Sequence, residues 1–218
     1  EVFVYELFDN YLEKKVYNSI IKSSFRLTYK EVQEIIDKKL NIKDELMFGW
    51  NVTSELVEAI NNSYILKQKI ESRKQSSWVL NFDFDETKII LDENNNPTDI
   101  VKYIRYESNK IIEEFMILAN ESVWELFSKY PFIYRIHDIP DDEDIEKLRT
   151  ILNIFGITMP FWKTTPKFVS NILKEIEKSP KSLLLSKLVL RSLKKAIYSE
   201  ENRWHFGLGL EFYSHFTS

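Results

Sequence analysis

Cysteine is missing from this chain altogether, which excludes disulfides and thiolate metal sites and fits a reducing, cytoplasmic setting. Glycine is nearly as scarce, with four in 218 residues, and neither G-x-G-x-x-G nor G-x-x-x-x-G-K-[ST] can be found. No stretch approaches the roughly 20 apolar residues that a membrane helix needs, and no cationic start with an apolar core follows residue 1. The three histidines, His137, His205 and His215, lie at spacings that make a zinc site improbable. No G-x-S-x-G elbow is present, so a Ser–His–Asp assignment has no support.

What is present reads as an ordinary globular chain, 44% hydrophobic and 29% charged. The net charge of −4 is unevenly spread. Between Lys163 and Arg203 there are ten Lys or Arg against four Glu, so this stretch carries +6 and the remainder −10. Such polarity suits either a basic face for nucleic acid or a solvated set of helices.

The opening EVFVYELF has strand composition, and Thr28-x-x-Glu31 has the form of a capping box with Val32, Ile35 and Ile36 as the apolar stripe behind it. A polar, partly helical stretch runs from Thr53 to Lys74. Two β-rich runs flank ENNNP within residues 78–107 and predict a twisted hairpin. In NKIIEEFMILANESVWELFSKY, Ile112, Phe115, Met116, Ala119, Val123, Leu126 and Phe127 recur at helical spacing. FIYRIH predicts a short strand, and DDEDIEKLRTILNIFG a helix with acids at its start and Gly156 just beyond its end. Two further helical stretches follow, the second being LLLSKLVLRSLKKAIY. The pattern predicts one α/β-type domain (α+β in arrangement), a mixed twisted sheet with packed helices.

Several residues stand out. Glu113 and Glu114 interrupt a helix that is apolar on nearly every side, so at least one carboxylate is expected to point into protein or a cleft. A salt bridge to Arg105 or Arg135 would satisfy it, and so would a substrate hydroxyl or a metal. Tyr29 follows a predicted N-cap, where such rings usually pack with the hydroxyl at the surface. Phe82 and Phe84 share a strand face that reads first as core, and Asp83 and Asp85 form a D-x-D pattern with weak metal-binding potential. The ending HFGLGLEFYSHFTS concentrates two histidines, two glycines and four aromatic rings.

Taken in order, RLTYKEVQEII, NFDFDETKIILDENNNPTDI, NKIIEEFMILAN, YRIHDIPDDEDIEKLRTILNIFGI, RSLKKAIYS and HFGLGLEFYSHFTS resemble successive blocks of the ribonuclease R / ribonuclease II (RNB) catalytic domain. The resemblance runs from about Lys15 to Ser218 and is nearer to ribonuclease R. It implies a processive, magnesium-dependent 3′→5′ exoribonuclease that hydrolyses single-stranded RNA to nucleoside 5′-monophosphates. It further implies that Tyr29 sets the 3′-terminal nucleotide, that Phe82 clamps the last bases by stacking, and that Glu113 selects RNA over DNA through the ribose 2′-OH. His205, heading the HFGLG block, joins them as an RNA-contact candidate.

Departures from the family accompany the matches. Trp78 and Trp204 stand where glycines are expected. The D-x-D-D metal cluster expected upstream of RLTY is not found, Asp9 being the only aspartate before Asp37. HFTS is where the family continues into PIRRY with its arginine at the scissile phosphate. The expectation is therefore that residues 1–218 are one partial RNB catalytic domain without OB-fold modules, inactive alone, with no magnesium bound and prone to self-association through exposed apolar surface. A non-catalytic RNA-binding or interaction protein is the alternative.

Overall fold

The computed structural model describes residues 2–4, 13–15, 18–74, 80, 87–160 and 164–217. They divide into two compact units. The first comprises residues 1–73, 104–126 and 216–218, and the second residues 74–103 and 127–215.

In the first unit, β1 (Val2–Val4) pairs antiparallel with β2 (Glu13–Lys15), in agreement with the strand composition of the opening residues. Helix α1 (Tyr29–Ile36) starts at the predicted capping box, and α2 (Ser54–Lys74) makes a continuous helix of the partly helical stretch. Ile35, Leu46, Val52, Leu56 and Ile60 form the core, with Val32 and Ile36 packed against it. Helix α3 (Glu107–Phe127) begins in this unit. Its buried residues are Ser108, Ile111, Asn120, Ser122 and Val123, whereas Ile112 from the predicted stripe is 44% exposed. The buried face is thus partly polar, and each of Ser108 and Asn120 has a backbone partner that justifies its burial.

In the second unit, β3 (Thr87–Leu91) and β4 (Pro97–Lys102) form the predicted hairpin. Asp92 closes the turn by accepting the Asn94 and Asn96 N–H groups, both at 2.8 Å. Strand β5 (Tyr134–Ile136) pairs antiparallel with β6 (Ile197–Ser199). Three helices fill the interval: α4 (Asp142–Ile154), α5 (Pro166–Glu177) and α6 (Ser182–Ser192). Gly156 follows α4 at φ +74°, the left-handed cap its position predicts. The core gathers Leu148, Leu152, Val169, Ile176, Leu185, Val189 and Phe206 from these helices and the C-terminal segment.

One expectation is corrected here. The helix predicted through LLLSKLVLRSLKKAIY ends at Ser192, and IYS becomes β6. Cross-strand pairing decides it: Tyr198 lies opposite Arg135, whose guanidinium sits 4.5 Å from the ring centroid. The mixed helix-and-strand class stands, its strands arranged among the described residues as three two-stranded antiparallel ladders.

Candidate functional site

Tyr29 is the first residue of α1, and the helix start that carries it is tied down on both sides. The Thr28 hydroxyl accepts the Glu31 N–H at 3.2 Å, while Glu31 Oε2 accepts the Thr28 N–H at 2.7 Å. Glu31 Oε1 accepts the Met47 N–H at 2.6 Å, which fixes the following loop to the same carboxylate. Burial pushes the Glu31 carboxyl up, but the Met47 and Thr28 hydrogen bonds outweigh it and hold the group below the usual carboxylate range. The Tyr29 side chain stands 44% exposed on this anchored turn.

A clasp joins α1 to the start of α3. Gln33 Oε1 accepts the Glu107 N–H at 2.8 Å and so serves as a remote N-terminal cap. The Ser108 hydroxyl donates to the Tyr29 carbonyl at 2.7 Å. Nearby cations are committed: Lys67, 5% exposed, pairs with Glu71 and Glu107, and Lys110 pairs with Glu107 at 2.8 Å. Burial pulls the Lys67 ammonium down, yet the Glu107 and Glu71 hydrogen bonds prevail and raise its pKa.

Glu113 lies on the next turns of α3. Its carboxylate is half exposed and bonded through Oε2 to Arg105 Nη2. Of the two carboxylates, Glu113 is the one turned outward, two residues and about 200° of helix beyond buried Ile111, while Glu114 is partly buried. Of the two candidate arginines, Arg105 is the partner of Glu113, while Arg135 stacks on Tyr198.

Two residues that sequence reasoning overlooked tie the C-terminal segment in place. Asn120 Oδ1 accepts the Phe216 and Thr217 N–H groups at 2.9 and 2.7 Å. An asparagine closing the apolar FMILA run of the helix was the available signal. Ser214 donates to the Ile133 carbonyl at 3.0 Å within the second unit.

His205 is 9% exposed and packed edge-on against His137 at 5.4 Å and Tyr213 at 5.1 Å. Its Nδ1 accepts the Leu208 N–H at 3.2 Å, and its backbone N–H bonds to the Leu210 carbonyl at 2.8 Å. Burial, reinforced by the His137 charge, lowers its pKa to about 4. His137 Nδ1 likewise accepts the Gly207 N–H, at 3.1 Å. Both imidazoles therefore use a ring nitrogen to shape the HFGLG turn. Trp204, at φ +92°, holds the left-handed backbone for which a glycine was expected.

Phe82, Trp78, Asp83 and Asp85 lie outside the described residues. Among those described, no group of three or more His, Cys, Asp or Glu could hold a metal ion. No helix among the described residues is long and apolar enough to cross a membrane.

The profile of the RNB domain family matches residues 3–218. Ribonuclease R of Thermotoga maritima is 38% identical over 206 residues, 93% of this chain and 28% of its own length. Ribonuclease R of Escherichia coli is 32% identical over 94% of this chain and 25% of its own length. The structure of Mycoplasma genitalium RNase R in complex with ribose-methylated single-stranded RNA superposes with a TM-score of 0.79 at 26% identity. It covers 87% of this chain and 29% of that one. The chain thus spans about a quarter of the length of the curated relatives it matches. Six sequence blocks in order, the family profile and the shared fold agree, and the chain belongs to the RNB domain family.

Proposed function

We propose that this chain is part of a ribonuclease R-like enzyme that degrades single-stranded RNA processively from the 3′ end by hydrolysis. The observation that carries the proposal is the Glu113 carboxylate, half exposed, oriented by Arg105, and borne by a helix clasped to the Tyr29-bearing turn. An ionised carboxylate only accepts hydrogen bonds, so the donor it suits is a hydroxyl such as the ribose 2′-OH. Tyr29, on the anchored start of α1, offers an exposed ring to the terminal nucleotide. Phe82 is assigned the clamping of the last bases by stacking. His205 enters as the residue that shapes the turn ahead of Tyr213 and Ser214, from within the fold.

Magnesium, when bound, would activate water and stabilise the leaving oxygen. The ligands for it, and the arginine at the scissile phosphate, are proposed to come from parts of a longer protein outside these 218 residues. The test is hydrolysis of a single-stranded RNA with magnesium, by the full-length protein and by the 218-residue chain. Mononucleotide release by the first and none by the second is expected. An inactive full-length protein would reject the enzymatic reading.

A non-catalytic RNA-binding or interaction protein built on the same domain is the second reading. RNA binding by a full-length protein that never hydrolyses its ligand, with magnesium supplied, would select it.

A further inference from the structure

We infer that Arg105 is a positioning residue for RNA-over-DNA selection, acting through Glu113; the inference rests on the 2′-OH reading of Glu113. Arg105 Nη2 donates to Oε2 of the carboxylate. Among the described residues no partner for Oε1 is found, and half of the Glu113 side chain is open to solvent. The pair therefore presents one oxygen held and the other offered. A guanidinium fixes a carboxylate in direction as well as in charge, because its N–H groups lie in one plane.

The alternative cation is spoken for. Lys110 sits three residues before Glu113, within helical reach, but bonds Glu107 at 2.8 Å. Glu107 also holds Lys67 at 2.6 Å, so Lys110 belongs to a network of its own.

Arg105 is itself well placed to act as a fixed support. The next residue, Tyr106, donates its N–H to Asn109 Oδ1 at 2.9 Å. The one after, Glu107, donates to Gln33 Oε1 at 2.8 Å. Arg105 thus leaves the chain at the point where α3 is tied to the helix that begins with Tyr29. Its side chain then reaches along α3 to residue 113. A carboxylate free to change rotamer would accept from water as readily as from a ribose. One held by Arg105 has its remaining oxygen aimed before substrate arrives, which favours the ligand that carries the matching donor.

The test compares Arg105→Ala, Arg105→Lys, Glu113→Ala and the Arg105→Ala/Glu113→Ala double variant in the full-length protein. Two readouts are taken for oligonucleotides with a ribose or a deoxyribose 3′-terminal segment: binding in EDTA, and kcat/KM with magnesium. Glu113→Ala is expected to lower the RNA-to-DNA ratio by about tenfold or more, the value of a hydrogen bond to a charged group. Arg105→Ala is expected to lower it by roughly three- to tenfold with Tm unchanged, since an exposed ion pair adds little stability. Arg105→Lys should restore part of the ratio, and the double variant should fall no further than Glu113→Ala. A normal ratio in Arg105→Ala alongside a collapsed one in Glu113→Ala would overturn the positioning role and leave the Glu113 reading intact. A normal ratio in Glu113→Ala would sink the 2′-OH reading itself.

Discussion

Gly207 stands so near His137 that a single methyl group would collide with the ring, its Cβ falling 2.8 Å from Nδ1. That closeness lets the Gly207 N–H bond the imidazole. Gly207→Ala should destabilise the fold by about 1–3 kcal/mol, through overpacking and the strained hydrogen bond. A shifted urea midpoint checks this, and an unchanged one would show that the ring moves aside freely. His205 makes a second prediction at the same scale. Its folded pKa of about 4 lies below the ordinary value of 6.5, so between those pH values the unfolded chain binds the extra proton. Stability contributed by this group is complete above pH 6.5 and is lost as pH falls towards 4. The loss amounts to up to about 3 kcal/mol. His137, also lowered by burial, deepens the same slope, with Asp138 acting against the shift. Urea midpoints between pH 7 and 4.5 should fall steeply, and less so in His205→Gln; parallel profiles would remove His205 as the cause. Neither the close approach nor the burial was visible in the HFGLG letters, which only marked the turn as unusual.

Helix α3 shows what a single element asks of its sequence. Its periodic apolar residues located the helix correctly, while the buried face proved to include Ser108, Asn120 and Ser122. Polar side chains are buried where backbone from elsewhere needs a partner, and periodicity contains no record of that backbone. Asn120 receives two N–H groups from residues nearly a hundred positions away. Asn120→Leu should leave both part-buried N–H groups without this acceptor, at a cost on the order of 1 kcal/mol. Hydrogen exchange at Phe216 and Thr217 is expected to accelerate in that variant; unchanged protection would mean that water or another group serves equally well. At the other end, Gln33→Ala removes the cap on Glu107 and should cost about 1 kcal/mol by thermal or urea unfolding. The α6–β6 boundary repeats the lesson. The helical pattern of LLLSKLVLRS runs up to Ser192, and Ile197 and Tyr198, both residues that suit a strand, take that form beside β5.

At the scale of the whole molecule, the candidate residues are divided between the two units. Tyr29 and Glu113 belong to the first, and His205 to the second. Phe82 falls outside the described residues, so its clamping role is best tested directly. In the full-length protein, Phe82→Ala should weaken the grip on the RNA end and change the length of the final product. An identical end product would remove stacking at that position.

The order of the blocks along the chain was enough to identify the family, because each block keeps its residue types at a spacing that local structure demands. Helix starts were equally plain, since Thr28 and Glu31, or the acids before Ile145, act within one turn of the chain. Partner choice was decided elsewhere. Glu113 could have met Arg105 or Arg135, and folding placed one alongside it and stacked the other on Tyr198. The reason is range: a cap or a periodic stripe is a relation between near neighbours, whereas an ion pair, a buried asparagine or a crowded imidazole depends on which distant segment the packed chain brings within a few ångströms.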